Sequence, residues 1–577
     1  MNRVSVFVRR HRLKRLETWI IRAVIAEAFL LPLSTTLAAA AVVFGVVMWF
    51  LRLQFDSRFK LRALPFDMPA ALFALIGLIS VFCSSSLNFE LLRNYCSFVG
   101  LYALTYILVG QNVRSRQQVK QIASALAASA LVVVLWGYFQ YIFGIDTVDM
   151  KWVDPEKFPE LKKRVFSTLE NPNVLAGYLD MCICLALGLL AKVKGISQRL
   201  AIIIAIAMLA ACLAMTYARG AFLTIVIVFI IYGAIQDWRA VLMFALIIAC
   251  ILYYDDAFVN RLLSIFTGGD SSEWLRIGIW ISTLAMITDH PFIGIGWGAF
   301  KSVYPNYDYY LKGADVEIFH AHNIFLHQAA EVGIIGAMAF FWYFFGTMFM
   351  TLELGANQKF LAIKNKITAA IERVSGIEIK RKIIEVTDEV KDRYLIENGR
   401  LERLVGMKER TVDRVAEASD RLIAWFTLSS GDDRTEEDTV RRVSLLKKVP
   451  LRKKISLKKR AKSPDKRADE TPTVEDTDDE IKIIGGTKAP RGSTDDPTKI
   501  LDWNEVAEIN DRQLTDGVKF GIGLAFVSMT LNGLTDNLLF NIPTSMLMWM
   551  LGALGGAIVL LPENDTKQRR KKFSHEK

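Results

Sequence analysis

Long uninterrupted apolar runs constrain this chain more than any other feature. "TTLAAAAVVFGVVMWFL", "ALAASALVVVLWGYFQYIF" and "AIIIAIAMLAACLAM" are three of nearly a dozen such blocks. Each approaches the ~20 residues that an α-helix needs to cross the hydrocarbon core of a bilayer. One block would suit a buried core helix. So many of them in 577 residues, 52% of which are hydrophobic, do not fit a soluble protein. The expected fold class is an all-α integral membrane protein.

The basic start, "MNRVSVFVRRHRLKRLETW", and the small residues of "STTLAAAA" would suit a cleaved signal peptide. A second apolar run follows at once and the alternation continues, so the first block reads as a retained membrane helix. Spans are expected near 18–33, 37–53, 69–86, 95–110, 122–144, 174–191, 199–215, 220–235, 239–253, 323–350, 518–534 and 541–561, about twelve by length. Lys and Arg collect on the cytoplasmic side, which orients the threading. With the N-terminus inside, the inside loops carry Arg58, Lys60 and Arg62; Arg114, Arg116 and Lys120; Lys192, Lys194 and Arg199; and Arg239. The tail "KQRRKKFSHEK" also falls inside, while the outer turns near 34–36 and 535–540 carry no Lys or Arg. One outer segment, 145–173, departs from the rule with Lys151, Lys157, Lys162, Lys163 and Arg164. Because the alternation holds on both sides of it, these cations are expected to meet an anion at the outer surface.

The chain therefore divides into a first membrane part (1–353, about ten spans, with a large outer loop at 254–322), a cytoplasmic insert (354–517), a second membrane part (518–561, two spans) and a basic tail (562–577). The insert begins with apolar residues at three- and four-residue steps, which suit a helical hairpin or coiled coil. A basic run, "RRVSLLKKVPLRKKISLKKRAKSPDKR", and an acidic one, "DETPTVEDTDDE", follow. They read as a solvated linker, or as a segment that docks on anionic lipid headgroups or a cytoplasmic partner. No recognisable fold presents this charge to nucleic acid, so no such partner is expected. The six cysteines all lie in or beside apolar blocks and show neither a disulfide framework nor zinc-type spacing.

Three of the six histidines fall in "FHAHNIFLHQAAEVGIIGA", just where an apolar run begins. Asn323, His327 and Glu331 follow at four-residue steps and so share one helix face, headed by His320 and His322. Ionisable groups cost roughly 2.5–3.5 kcal/mol each at mid-membrane, and they persist where they face a cavity, a partner or a reaction. The threading brings three further features to the same side: "RVFSTLENPNVLAGYL" with Arg164, "TYARGA" with Arg219, and "RIGIWISTLAMITDHPFIGIGWGAF" with Arg276. Guanidinium is always charged and clamps phosphate bidentately, and histidine is the usual general base near neutral pH. A lone arginine at a helix end would merely snorkel, and Asn171-Pro172-Asn173 or Gly294, Gly296 and Gly298 alone would be an ordinary turn or loop. Gathered on one face, they point to chemistry on an anionic substrate.

From Arg164 to Ala337 these motifs resemble the O-antigen ligase / O-antigen polymerase family of bacterial envelope proteins. The resemblance implies the architecture of a C-type glycosyltransferase in the bacterial cytoplasmic membrane, with the active site on the outer face; the threading places both termini in the cytoplasm. It implies glycan transfer from an undecaprenyl-diphosphate carrier to a hydroxyl of a glycan, lipid or protein acceptor, without a metal or other cofactor. Arg219 then matches the arginine before a small residue at a helix end, Arg276 the arginine of the large outer loop, and His322 the histidine preceding Asn. The two arginines would hold the diphosphate, and His322 would take the acceptor proton. Arg164, His320, Asn323 and Glu331 are expected to serve in substrate binding or its support. Ala218 stands where many relatives have Ser, and the insert lies outside the family's common core.

Two other readings compete. His320, His322, His327 and Glu331 would also suit a metal, although no HExxH motif is present. A solute transporter would place its key groups near mid-membrane and on interrupted helices. A scaffold in envelope assembly is a third. The motifs do not separate ligase from polymerase, since both use the same donor.

Overall fold

The computed structural model describes residues 3–56, 59–144, 164–254, 271–308, 317–352 and 503–562, and no strand occurs among them. These residues belong to the unit formed by Met1–Ala356 and Leu501–Lys577; Asn357–Ile500 forms a second unit. The expectations for the insert, the lysines of 145–163 and the basic tail fall outside the described residues.

The described chain is helical throughout: α1 (Arg3–Leu30), α2 (Thr35–Phe55), α3 (Asp67–Phe82), α4 (Phe89–Asn112), α5 (Arg116–Phe143), α6 (Pro172–Lys192), α7 (Ile196–Ala214), α8 (Arg219–Ile235), α9 (Arg239–Tyr254), α10 (Ser271–Asp289), a short α11 (Phe300–Val303), α12 (Ile324–Leu352), α13 (Trp503–Asn532) and α14 (Ile542–Val559). A helix lies over each expected span. Among the described residues, seven helices are long and apolar enough to cross a membrane: α2, α5, α6, α7, α12, α13 and α14. The helices α3 and α8 are apolar but shorter.

Local sequence sets many of the helix starts. Ser34 caps α2, Asn88 caps α4, Ser115 and Gln118 form a reciprocal capping box on α5, and Asn171 caps α6 ahead of Pro172. Apolar side chains point both ways, as lipid immersion demands. Leu131, Leu135 and Phe139 of α5 and Met338 and Trp342 of α12 are exposed. Phe340, Tyr343, Phe344, Phe526 and Trp549 pack the interior, with the Tyr343 and Trp549 rings stacked at 4.3 Å.

The helices α6 and α13 approach each other closely. A Cβ on Gly188 would be driven into the backbone of Gly517 and Gly521, which lie four residues apart on α13. Helices in lipid gain by such close approach, because packing replaces the hydrophobic drive that water would supply. Gly188→Leu is expected to force the pair apart and to lower the melting temperature of the purified protein, an overpacking cost of about 1–3 kcal/mol or more. An unchanged melting curve would show that this crossing bears little of the fold.

Two features go beyond the sequence reading. The last long helix does not begin at the apolar stretch near 518 but at Trp503, because "NEVAEINDRQLTDGV" keeps helical periodicity back into the polar segment. There Asp511 pairs with Lys120 of α5 at 3.0 Å. The second is that α12 is not one straight helix. At Gly333 the backbone leaves the helical region, with φ 69° and ψ 177°. The freed carbonyls of Ala330 and Glu331 accept the N–H groups of Ile295 and Gly296 at 2.9 and 3.0 Å, and the Ile334 N–H donates to Pro291 O at 2.8 Å. The glycine-rich segment after α10 therefore lies backbone to backbone against the break. Gly294, at φ 79°, has no room for a Cβ, which would stand 2.5 Å from the Glu331 carbonyl.

Candidate functional site

Chain breaks between helices at one end of the bundle gather the polar residues. The turn joining α7 to α8 is "TYA": Thr216 Oγ1 donates to Leu213 O and accepts from the Ala218 N–H, while Tyr217 sits at φ 53°. This tight turn delivers Arg219 as the first residue of α8. Arg164 enters from the segment before α6. It is buried, its Nε donates to Thr216 O at 2.9 Å, and its Nη2 donates to Asn173 Oδ1 at 2.9 Å. It thus pins the α7–α8 turn to the start of α6. Arg276 comes from α10.

All three guanidinium groups line one cavity of about 190 Å³, together with Asn173, Tyr217, Asn532, Thr535 and Asp536. The N-terminal turns of α6 and α8 also face it, through Asn173 and through Gly220 and Ala221. Helix N-termini present unsatisfied N–H groups and the positive end of the helix dipole. Three arginines and two such ends, set against the single carboxylate of Asp536, give the cavity a net positive lining that suits an anion.

Asp536 was not among the residues singled out from sequence. It lies in the short turn between α13 and α14, and its Oδ1 stands 3.2 Å from His322 Nδ1. His322 is 29% exposed at the side chain, so it is open to a substrate from one side and held from the other. It also adopts φ 47°, a left-handed conformation uncommon outside glycine. Its N–H donates to His320 Nδ1 at 3.1 Å, and the two rings lie 4.1 Å apart. Burial, then the neighbouring His322, pushes the His320 imidazole from its usual 6.5 down to about 3. Burial acts to raise the Asp536 carboxyl. The hydrogen bond and charge of His322, with His320 and Arg276 beyond, outweigh it and hold the group below its usual 3.8.

The sign of the pH dependence follows. Both folded values lie below the unfolded ones, so the unfolded chain binds more protons and acid favours unfolding. His320 begins to cost stability as pH falls below 6.5 and continues toward about 3. The Asp536 contribution is present above 3.8 and is lost below it. Melting temperature is expected to fall steadily from about pH 7 to about pH 4, and His320→Asn should flatten the upper part of that slope. A wild-type profile level over this range would contradict a neutral, half-buried His320.

The remaining expected residues have other surroundings. Asn323 Oδ1 accepts from the N–H groups of Phe325 and Leu326, and its Nδ2 donates to Leu534 O at 3.0 Å. It starts α12 and holds the α13–α14 turn in place. Glu331 does not line the arginine cavity. It is buried, lies 3.6 Å from His327 Nε2, and accepts from the backbone of Gly298 and Phe300, which ties the glycine-rich segment down. His320, His322 and Asp536 offer ligand-type atoms within 4.8 Å of one another. A cation there would displace the His322–Asp536 contact and the hydrogen bond that His320 Nδ1 accepts.

Residues 203–341 match a family model described as O-antigen ligase. The matched stretch holds Arg219, Arg276, His320, His322, Asn323 and Glu331; Arg164 and Asp536 lie outside it. A search of curated proteins gives no match.

Proposed function

From the match of residues 203–341 to the O-antigen ligase family we propose that the chain is a metal-independent glycosyltransferase acting on a lipid-diphosphate donor. One observation carries the reading: Arg164, Arg219 and Arg276 line a single cavity together with Asp536, whose Oδ1 stands 3.2 Å from His322 Nδ1. The donor is a glycan on undecaprenyl diphosphate, and the acceptor a hydroxyl of a glycan, lipid or protein. The arginines hold the diphosphate and stabilise the charge that grows on it as the bond to the anomeric carbon breaks. His322 takes the acceptor hydroxyl proton as the new oxygen–carbon bond forms, and the departing electron pair stays on the diphosphate. Asp536 orients the imidazole and favours its protonated form in the transition state, as a carboxylate does in hydrolytic triads.

The finer architecture belongs to the same proposal. It comprises twelve spans of C-type glycosyltransferase form in the bacterial cytoplasmic membrane, with both termini inside and the cavity on the outer face. The charge asymmetry supports this orientation. Arg62, Arg114 and Lys120 lie at the helix ends opposite the cavity, where loops are basic.

The broken α12 is the one feature that suits a transporter. Its break, however, is filled by the backbone of Pro291 to Gly296, while the cationic cavity sits at helix ends. The deciding experiment measures release of undecaprenyl diphosphate from lipid-linked oligosaccharide in membranes containing the protein. Acceptor-dependent release that survives a chelator is expected. No release, with folded protein and acceptors drawn from its own envelope, would overturn the proposal in favour of uptake.

A further inference from the structure

A second cavity of about 450 Å³ opens at the same end of the bundle, between the α1–α2 turn, the segment before α6 and the start of α14. Ser34, Thr35, Thr168, Glu170, Phe540 and Asn541 line it, and no lysine or arginine does. Its volume falls within the roughly 300–1,000 Å³ range of small-molecule sites. Its chemistry is the reverse of the arginine cavity's: hydroxyls, a carboxylate, an amide and an aromatic ring.

Several of these groups have hydrogen-bonding capacity to spare. Ser34 Oγ accepts from the Leu37 N–H, which leaves its own hydrogen to donate. Thr168 Oγ1 donates to Pro32 O at 2.6 Å, which leaves its lone pairs to accept. Asn541 occupies the N-cap of α14, yet its side chain makes no cap bond and its amide oxygen is buried without a hydrogen-bond partner. Glu170 is exposed and held at φ 60°, a left-handed conformation that a glutamate adopts only when its surroundings impose it. A buried acceptor with no partner is costly unless a ligand supplies the donor.

Phe540 connects this cavity to the histidines. It stands 4.8 Å from the His320 ring, and His320 lies 4.1 Å from His322, which meets Asp536 on the arginine side. The histidine pair therefore stands between a cationic cavity and a neutral-to-acidic, hydroxyl-rich one. In a single displacement at an anomeric carbon, the attacking oxygen enters opposite the departing group. A donor with its diphosphate among the arginines would be attacked from the side on which Phe540 lies.

We propose that this second cavity is the acceptor subsite and that it binds a neutral sugar ring, with Glu170 and Asn541 on its hydroxyls and Phe540 against its apolar face. This rests on the transferase reading above and adds that the acceptor is presented as a pyranose. The donor's own sugars share this chemistry, and the test separates the two sources.

The protein in lipid nanodiscs would be examined by saturation-transfer NMR with the methyl glycosides of glucose, galactose and N-acetylglucosamine. Glu170→Gln and Asn541→Ala would be compared with wild type, the latter chosen because it removes no cap bond. Saturation of at least one glycoside is expected, with affinity lowered about tenfold or more in either variant, the charge assistance of one hydrogen bond being lost in Glu170→Gln and a neutral hydrogen bond in Asn541→Ala. Binding of inorganic diphosphate should stay unchanged. In the transfer assay the same variants should raise the acceptor KM by a similar factor and leave the donor KM alone.

No glycoside binding by wild type, or equal binding by both variants, would overturn the proposal. A rise confined to the donor KM would overturn it too and assign the cavity to the donor glycan. A chain that binds glycosides here but transfers nothing would instead sink the transferase reading and leave a sugar site standing.

Discussion

Replacing His322 by alanine is expected to lower kcat for glycan transfer by about 10²–10⁴-fold, the range in which a positioned general base contributes. The donor KM should move little, because the arginine cavity does not depend on the imidazole. Asp536→Asn should cost at least about 10²-fold by the same measurement. The amide cannot supply the negative charge that favours the imidazolium, and it can turn the ring to the wrong tautomer. The double variant should be scarcely worse than His322→Ala alone, since residues acting as one unit are far from additive. Additive losses would mean that Asp536, 3.2 Å from the ring, acts on something other than His322.

The arginines should give the second large effect. Arg219→Ala and Arg276→Ala are each expected to lower kcat/KM by about 10²–10³-fold, the cost of removing one preorganised donor from developing negative charge. Lysine at either place should recover only part of this, because an ammonium offers a point charge where guanidinium offers a planar fork. Arg164 should behave differently. Two of its nitrogens already hold Thr216 and Asn173, so Arg164→Ala should lower the melting temperature as well as the rate. Full activity in Arg276→Ala would remove the arginine cavity from the mechanism.

These residues differ in how far the sequence exposed them. Arginines and histidines at the ends of apolar runs stand out because such groups are costly near lipid, so spacing and threading drew attention to Arg164, Arg219, Arg276, His320 and His322, while the roles expected of Arg219, Arg276 and His322 came from the family resemblance. Asp536 was not. In "LTDN" it looks like any turn aspartate, and its meaning comes from a contact 214 residues away in sequence. The same holds for the break in α12. "EVGIIGA" keeps the composition of a membrane helix, and only the docked backbone of Ile295 and Gly296 makes Gly333 leave the helix. Glu331 shares the helical stripe of Asn323 and His327, as its spacing implies. The stripe alone could not reveal that its carboxylate is taken by Gly298 and Phe300. Helix identity was carried by local pattern, and helix ends less so: α13 starts at Trp503 because amphipathic periodicity outlasts hydrophobicity.

The turn between α13 and α14 also has a consequence in time. Gly533 O receives the first N–H of α12, Leu534 O receives Asn323, and Asp536 meets His322. All three groups are made after the insert, whereas their partners are made before it. At about 5–20 residues per second, a ribosome that has finished α12 needs roughly ten seconds or longer to reach Asp536. Throughout that interval the arginines and histidines are already in the nascent chain, but Asp536, the partner of His322, is not. The contacts that hold His322 and the start of α12 therefore form only with the last hairpin, and the length of the insert sets the delay.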